Sequence, residues 1–159
     1  MNSLLLRPLE DKDIPLLREW LYKEYIAKWY KEPAEWLNEV NGRFTDYHFV
    51  THLIAECNGI PIGFCQYYAC INAKEDWYGD IPLKGTYSID YLIGEETYLH
   101  KGLGKEIILL LTKKIFGLND AKRIIVQPEE DNANSCKTLL AGGYHYDLKN
   151  KLYYMEKQA

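Results

Sequence analysis

Gly102 and Gly104 stand in the run Leu99-His100-Lys101-Gly102-Leu103-Gly104-Lys105, directly before the apolar stretch Ile107-Ile108-Leu109-Leu110-Leu111. Two glycines one residue apart let the backbone approach a ligand closely, and a helix starting there offers unpaired N–H groups and its positive dipole end. The chemistry this suits is capture of a phosphate or pyrophosphate. Lys101 and Lys105 read equally as phosphate contacts or as solvated charges. The run is not a Walker loop, which needs Gly-Lys-Ser/Thr after four intervening residues, and not a dinucleotide fingerprint, whose third glycine falls on Ile107. ATPase and NAD chemistry are thereby excluded.

A second chemical signal is Asp90, inside the β-branched and aromatic run Thr86-Tyr87-Ser88-Ile89-Asp90-Tyr91-Leu92-Ile93. An aspartate within an apolar strand is disfavoured and costly unless it is paired or useful. Its two readings are a carboxylate that acts on a ligand and a structural one bonded to backbone at a strand bend. A third signal is Asn72-Ala73-Lys74-Glu75-Asp76-Trp77-Tyr78-Gly79-Asp80, too polar for a core and too aromatic for an idle linker. Carboxylates beside indole rings suit a cation with flat apolar faces, although core packing is an equal use for Trp77 and Trp29. Gln66 and Tyr68 alternate on one strand face and either face a ligand together or cover the sheet.

The elements that must position these residues follow from patterning. Leu4 to Leu9 reads as a strand, with Asp13 as N-cap before Ile14-Pro15 and a helix whose apolar face is Leu17, Trp20 and Leu21. A second helix starts at Glu32-Pro33, carries Trp36, Leu37 and Val40 and stops near Gly42. His48 to Cys57 and Ile60 to Tyr68 form a hairpin turned by Asn58-Gly59. An irregular segment from Ile71 to Gly85 leads into the Asp90 strand, Thr86 to Ile93. The main helix spans Leu103 to Phe116 and ends at Gly117; Lys122 to Val126 is a strand and Asn132 to Ala141 a helix capped by Gly142-Gly143. Tyr144 to Met155 closes as a hairpin turning near Asp147 to Asn150. The order βααβββαβαββ is a mixed α/β plan.

Length and composition bound the answer. At 159 residues, 47% hydrophobic and 26% charged, the chain is expected to make one domain spanning residues 1–159 with a core that needs no staples. A net charge of −4 argues against nucleic acid as partner and suits a cationic ligand. Met1-Asn2-Ser3 leads straight into strand-like residues and no apolar run approaches a membrane span, so a cytoplasmic location without membrane contact is expected. Cys57, Cys65, Cys70 and Cys136 lack Cys-x-x-Cys spacing and the histidines are scattered, so neither a metal site nor a disulfide framework is expected. Cys136 has no base nearby in sequence and is read as structural.

Taken together, Gly102-x-Gly104 after a strand resembles the acetyl-CoA loop of the GNAT acyltransferases, Gln/Arg-x-x-Gly-x-Gly/Ala, with Leu99 departing at the first position. More of the chain is similar to the aminoglycoside 6′-N-acetyltransferases of that superfamily: Glu19-Trp20-Leu21, Trp29-Tyr30, Ile60 to Tyr68, Ser88 to Gly94 and Lys101 to Gly104. The resemblance covers nearly the whole chain and implies the GNAT fold, a mixed, mostly antiparallel sheet flanked by helices. It implies acetyl-CoA-dependent N-acetylation of a primary amine by direct transfer, with an aminoglycoside 6′-amine favoured. The alternatives are another small polyamine or amino sugar as acceptor, or a non-catalytic acyl-CoA-binding module, acting as monomer or homodimer.

The resemblance also implies roles. Pantetheine would lie beside the backbone of Leu92, Ile93 and Gly94, whose amides donate to the thioester oxygen. The pyrophosphate would rest on His100, Lys101, Gly102, Leu103, Gly104 and Lys105, and Asn132 keeps the family's asparagine. Asp90 matches the aspartate beside the acceptor amine, and the acceptor wall would comprise Trp29, Tyr30, Gln66, Tyr68, Glu75, Trp77, Asp90 and Gln127. Two positions depart from the family: Gln127 replaces an aspartate before proline, and Leu139 replaces a tyrosine that protonates the departing thiolate.

Overall fold

The structure, a computed structural model, describes residues 3–158. Its centre is a seven-stranded sheet in the order β1-β2-β3-β4-β5-β7-β6. The strands are β1 (Leu4–Pro8), β2 (Val50–Cys57), β3 (Ile60–Ala69), β4 (Thr86–Ile93), β5 (Arg123–Val126), β6 (His145–Asp147) and β7 (Leu152–Glu156). All neighbours are antiparallel except β4 and β5. The helices are α1 (Ile14–Leu21), α2 (Glu24–Ala27), α3 (Pro33–Asn41), α4 (Cys70–Ala73), α5 (Leu103–Phe116) and α6 (Ala133–Ala141). With the one-turn α2 and α4 set aside, this is the expected order of elements.

The turn between β2 and β3 shows why Asn58-Gly59 is a hairpin signal. Both residues have positive φ, 52° and 83°, the pair that a two-residue turn matched to strand twist requires. The closing hairpin turns where expected because the Asp147 carboxylate accepts from the Asn150 backbone N–H at 3.0 Å and its side-chain amide at 2.8 Å.

Asp13 differs from expectation. Its side chain makes no cap bond to α1; it takes the Arg7 guanidinium at 2.7 and 2.8 Å and the Glu10 N–H at 2.8 Å. A fork-shaped guanidinium within reach outcompetes a single helix amide for a carboxylate. The Arg7 pairing holds the Asp13 carboxyl below the usual range. Strand β2 starts at Val50 rather than His48, because Gly42 to Tyr47 coils into consecutive turns.

The helices bury the sheet on both faces. Leu17, Trp20 and Leu21 of α1 pack with Leu37 and Val40 of α3 against Ile54, Phe64 and Leu92, the even-numbered face of β2, β3 and β4. Each fully buried large side chain of this kind stabilises by about 1.5–3 kcal/mol. On the other face Leu103, Ile107, Ile108, Leu111 and Ile115 of α5, spaced as one helical stripe, pack with Leu139 of α6 against Leu53, Cys65, Ile89 and Ile124. Cys57, Cys65 and Cys70 are free and buried, and Cys136 is half-buried.

Strands β4 and β5 decide where a ligand enters. They pair in parallel only over Thr86–Ser88 with Arg123–Ile125, and β4 then runs on to Ile93 alone on that side. The resulting wedge opens beside Asp90.

Candidate active site

Two cavities meet at this wedge. The first, about 720 Å³, lies between the free edge of β4, the start of α5 and the face of α6. The second, about 460 Å³, lies over the other side of β4 beneath α3 and the segment after β3. Trp29, Tyr30, Tyr91, Asn132 and Ser135 line both, which marks the junction where ligands in the two cavities would touch.

The larger cavity is built around backbone. Gly102 adopts φ 77° and ψ 6°, a left-handed conformation that brings the chain into α5, and His100 is also left-handed at φ 60°. The first helical amide with a partner within α5 is that of Glu106, on the Gly102 carbonyl at 3.3 Å. Leu103, Gly104 and Lys105 thus present the amides of a helix start to the cavity, an anion cradle. Of the residues expected around a cofactor, Leu92, Ile93, His100, Gly102, Leu103, Gly104, Lys105 and Asn132 line this space. Lys101 is exposed outside it, its ammonium 5.7 Å from the centre of the Tyr98 ring. Asn132 has a structural task as well, capping α6 by accepting from the Ser135 N–H at 3.2 Å.

Along the free edge of β4 the carbonyls are covered by phenols. Tyr25 donates to the Ile93 carbonyl at 2.8 Å, and Tyr30 donates to the Tyr91 carbonyl. Burial holds the Tyr30 hydroxyl well above its ordinary pKa, so it stays protonated and keeps donating. Gly94 at the end of the edge is required by packing. A Cβ there would lie 2.1 Å from the Trp20 indole, which itself donates to Glu95 at 2.6 Å.

The smaller cavity is lined by side chains. All the residues expected at the acceptor wall reach it: Trp29, Tyr30, Gln66, Tyr68, Glu75, Trp77, Asp90 and Gln127. Gln66 and Asp90 are direct cross-strand neighbours, and the Gln66 amide donates to Asp90 Oδ2 at 2.9 Å. Burial pushes the Asp90 carboxyl up to about 6 against the pull of that hydrogen bond, and the charge of Glu75 adds to the rise. Glu75 accepts from the Tyr68 hydroxyl at 3.1 Å. Trp77 does both things its sequence allowed, stacking edge-on to Tyr78 with ring centres 4.8 Å apart and lining the cavity. Gln127 is tethered, its amide donating to the Lys151 carbonyl at 3.0 Å.

Other parts of the acidic segment point elsewhere. Asp76 and Asp80 do not line the cavity; Asp80 pairs with Lys149, and its backbone N–H donates to Asn150 Oδ1 at 3.1 Å. In their place stands Glu39, which sequence reasoning missed. Burial, with the charges of Asp90, Glu75 and Glu35, pushes its carboxyl up to about 7. Trp36 and Glu39 are three residues apart on α3 and share a helix face beside the core stripe of Leu37 and Val40, but that spacing does not show that the face lies over Asp90. Among the described residues lining this cavity, Asp90, Glu39, Glu75 and Glu129 are acidic and none is lysine or arginine. Leu139 is fully buried in the core beneath α6 and offers no proton to either cavity.

A family model described as acetyltransferase (GNAT) domain matches residues 10–151. The chain is 27% identical over 149 residues to the type 1 aminoglycoside N(6′)-acetyltransferases of Klebsiella pneumoniae and Serratia marcescens, covering 90% of this chain and 74% of each relative. Its structure resembles that of aminoglycoside acetyltransferase AAC(6′)-Ib in complex with coenzyme A, with TM-score 0.83 and 24% identity over 98% of this chain and 96% of that one. It is likewise similar to AAC(6′)-Ib in complex with ribostamycin and coenzyme A, with TM-score 0.81 and 25% identity over 98% and 93% of the two chains.

Proposed function

Because the chain belongs to the acetyltransferase (GNAT) domain family, we propose that it transfers the acetyl group of acetyl-CoA to a primary amine of a small polycation. The favoured acceptor is the 6′-amine of an aminoglycoside, the chemistry named for its relatives. The observation that carries this reading is the acceptor cavity: acidic side chains, aromatic walls and no lysine or arginine among its described lining, opening at the β4–β5 wedge onto a cradle of helix-start amides. A site so charged repels anions and attracts ammonium groups from solution.

The residues divide the work. The amides of Leu103, Gly104 and Lys105 hold the cofactor's phosphates, and the N–H groups on the free edge of β4, whose carbonyls Tyr25 and Tyr30 cover, receive its pantetheine arm. Asp90, largely ionised at neutral pH, binds the incoming ammonium and takes its proton. The neutral nitrogen would then attack the thioester carbon; as the C–N bond forms the nitrogen gives up its second proton to solvent, and the C–S bond breaks with its electron pair leaving on sulfur. Backbone N–H groups at the wedge donate to the carbonyl oxygen as charge builds there. The thiolate takes its proton from solvent, since Leu139 has none to give. Glu39, Glu75 and Glu129 bind the acceptor's other ammonium groups, and Trp29 and Trp77 cover its apolar faces. One GNAT domain in the cytoplasm, where acetyl-CoA is available, accounts for these parts.

The test is release of free thiol from acetyl-CoA with a panel of amines. Aminoglycosides with a 6′-amino group should turn over, while otherwise identical 6′-hydroxyl compounds should not. Preference for spermidine or glucosamine would move the acceptor to another amine class. Binding of CoA without turnover of any amine would leave only an acyl-CoA-binding module.

A further inference from the structure

Buried side-chain atoms without a hydrogen-bond partner are, among the described residues, Arg43 Nε, His52 Nδ1, His52 Nε2 and Gln66 Oε1. Unsatisfied polar atoms inside a protein are costly, and each calls for a physical reason. These are not scattered. His52 on β2 stands directly opposite Gln66 on β3, and Gln66 directly opposite Asp90 on β4, so three side chains form one row on one face of the sheet. His52 and Gln66 are 5% and 3% exposed, too buried for bulk water to satisfy them. Arg43 is the charge that faces His52 from the turn after α3, and the His52 ring lies nearly parallel to Phe64, with centres 6.2 Å apart.

One donor direction completes every bare atom. The Arg43 Nε–H can only donate, and Gln66 Oε1 can only accept; a neutral imidazole between them supplies one acceptor and one donor. Since the Gln66 Nε2 group already donates to Asp90, its Oε1 is left for a donor on the far side. We infer that Arg43, His52 and Gln66 form a single donor chain ending on Asp90, closed through one ordered water at each gap, and that His52 is thereby a positioning residue for that carboxylate. Burial together with Arg43 lowers the His52 pKa to about 4, which keeps the ring in the neutral form the chain requires. The chain locks the orientation of the Gln66 amide, so that its NH2 and not its oxygen meets Asp90. A donor held on a carboxylate favours the ionised form. The other groups facing Asp90, namely Glu75, Glu39, Tyr30, Tyr68 and Tyr91, supply no cation.

The kinetic consequence rests on the proposed function, but the structural one does not, so the test has two readouts. Carboxyl and imidazole NMR is recorded through a pH titration on the wild-type protein, on His52→Phe and on His52→Gln, which retains a donor and an acceptor. In the wild type, His52 should carry a single slowly exchanging N–H and remain neutral throughout the neutral range. In His52→Phe the Asp90 midpoint should rise by about one pH unit, whereas His52→Gln should hold it near the wild-type value. The acid limb of kcat/KM for the amine should move with the Asp90 midpoint. An unmoved midpoint in His52→Phe, or a wild-type His52 ring titrating near the free value of about 6.5, overturns the inference. A midpoint that moves while the limb stays put leaves the donor chain standing and removes Asp90 as the base. Should His52→Phe not fold, the wild-type imidazole signals and the His52→Gln midpoint decide alone.

Discussion

Asp90 combines burial with access to the cavity mouth, and that combination places its charge change near neutrality. Asp90→Asn keeps the size and the Gln66 contact but removes the carboxylate proposed as the base, so kcat/KM for the amine should fall by about 100-fold or more while CoA affinity holds. Calorimetric titration of CoA alongside steady-state kinetics checks both halves. In the wild type, activity should rise with pH through the Asp90 value of about 6. Glu39 makes a separate prediction through stability. Its pKa in the folded protein, about 7, lies above its ordinary value of 4.5, so the stabilisation linked to its protonation is full below about pH 4.5 and is lost as pH rises through about 7. Glu39→Gln should therefore melt higher than wild type at about pH 8 and close to it at about pH 4, with a raised acceptor KM and an unchanged acetyl-CoA KM. Melting curves across that pH range, with KM values for both substrates, decide it.

The loop into α5 and the end of β4 depend on glycine for different reasons. Gly102 has open space where a Cβ would stand, so its demand is conformational: φ is 77°, a region where a β-branched residue is strained. Gly102→Val should weaken CoA binding by at least about tenfold, by turning the cradle amides away, at a stability cost of about 1–3 kcal/mol. Gly94 has the opposite demand, because a Cβ would overlap the Trp20 indole at 2.1 Å. Trp20 is fully buried between α1 and the sheet and has nowhere to retreat. Gly94→Ala should cost about 1–3 kcal/mol, read as a lower denaturant midpoint with an unchanged m-value. An unchanged midpoint would mean that the indole repacks freely.

At the scale of the fold, function follows from a strand pairing that stops early. Had β5 followed β4 beyond Ser88, the carbonyls of Tyr91 and Ile93 would face a neighbouring strand instead of Tyr30 and Tyr25, and the cavities would be sealed apart. The cavities on the two sides of β4 share Trp29, Tyr30, Tyr91, Asn132 and Ser135, so a ligand filling one side is expected to order the walls of the other. CoA at about 100 times its Kd should add about 2.7 kcal/mol of apparent stability by mass action. The aminoglycoside should raise the melting temperature further when CoA is present than when it is absent. A thermal-shift matrix with each ligand alone and both together measures this; equal aminoglycoside shifts with and without CoA would show that the sites are uncoupled.

Features that depend on nearest neighbours along the chain were legible without the fold. Asn58-Gly59 dictates its turn through local backbone preference, the spacing of Leu103, Ile107, Ile108 and Leu111 dictates the buried face of α5, and Gly102 marks the helix start. Asp90 stood out because a lone carboxylate in an apolar strand is anomalous in any fold. Glu39 was not legible, since a glutamate on a helix is ordinary until the sheet beneath it is known to carry Asp90. Asp13 does not cap α1 because Arg7, six residues away in sequence, takes its carboxylate once β1 and α1 are packed together. His52, Gln66 and Asp90 are separated by 24 residues between the last two alone, and only strand register sets them in a row. Local sterics and periodicity are written in adjacent residues. Burial, charge proximity and the early parting of β4 from β5 are properties of distant segments brought together, and they exist only once the chain has folded.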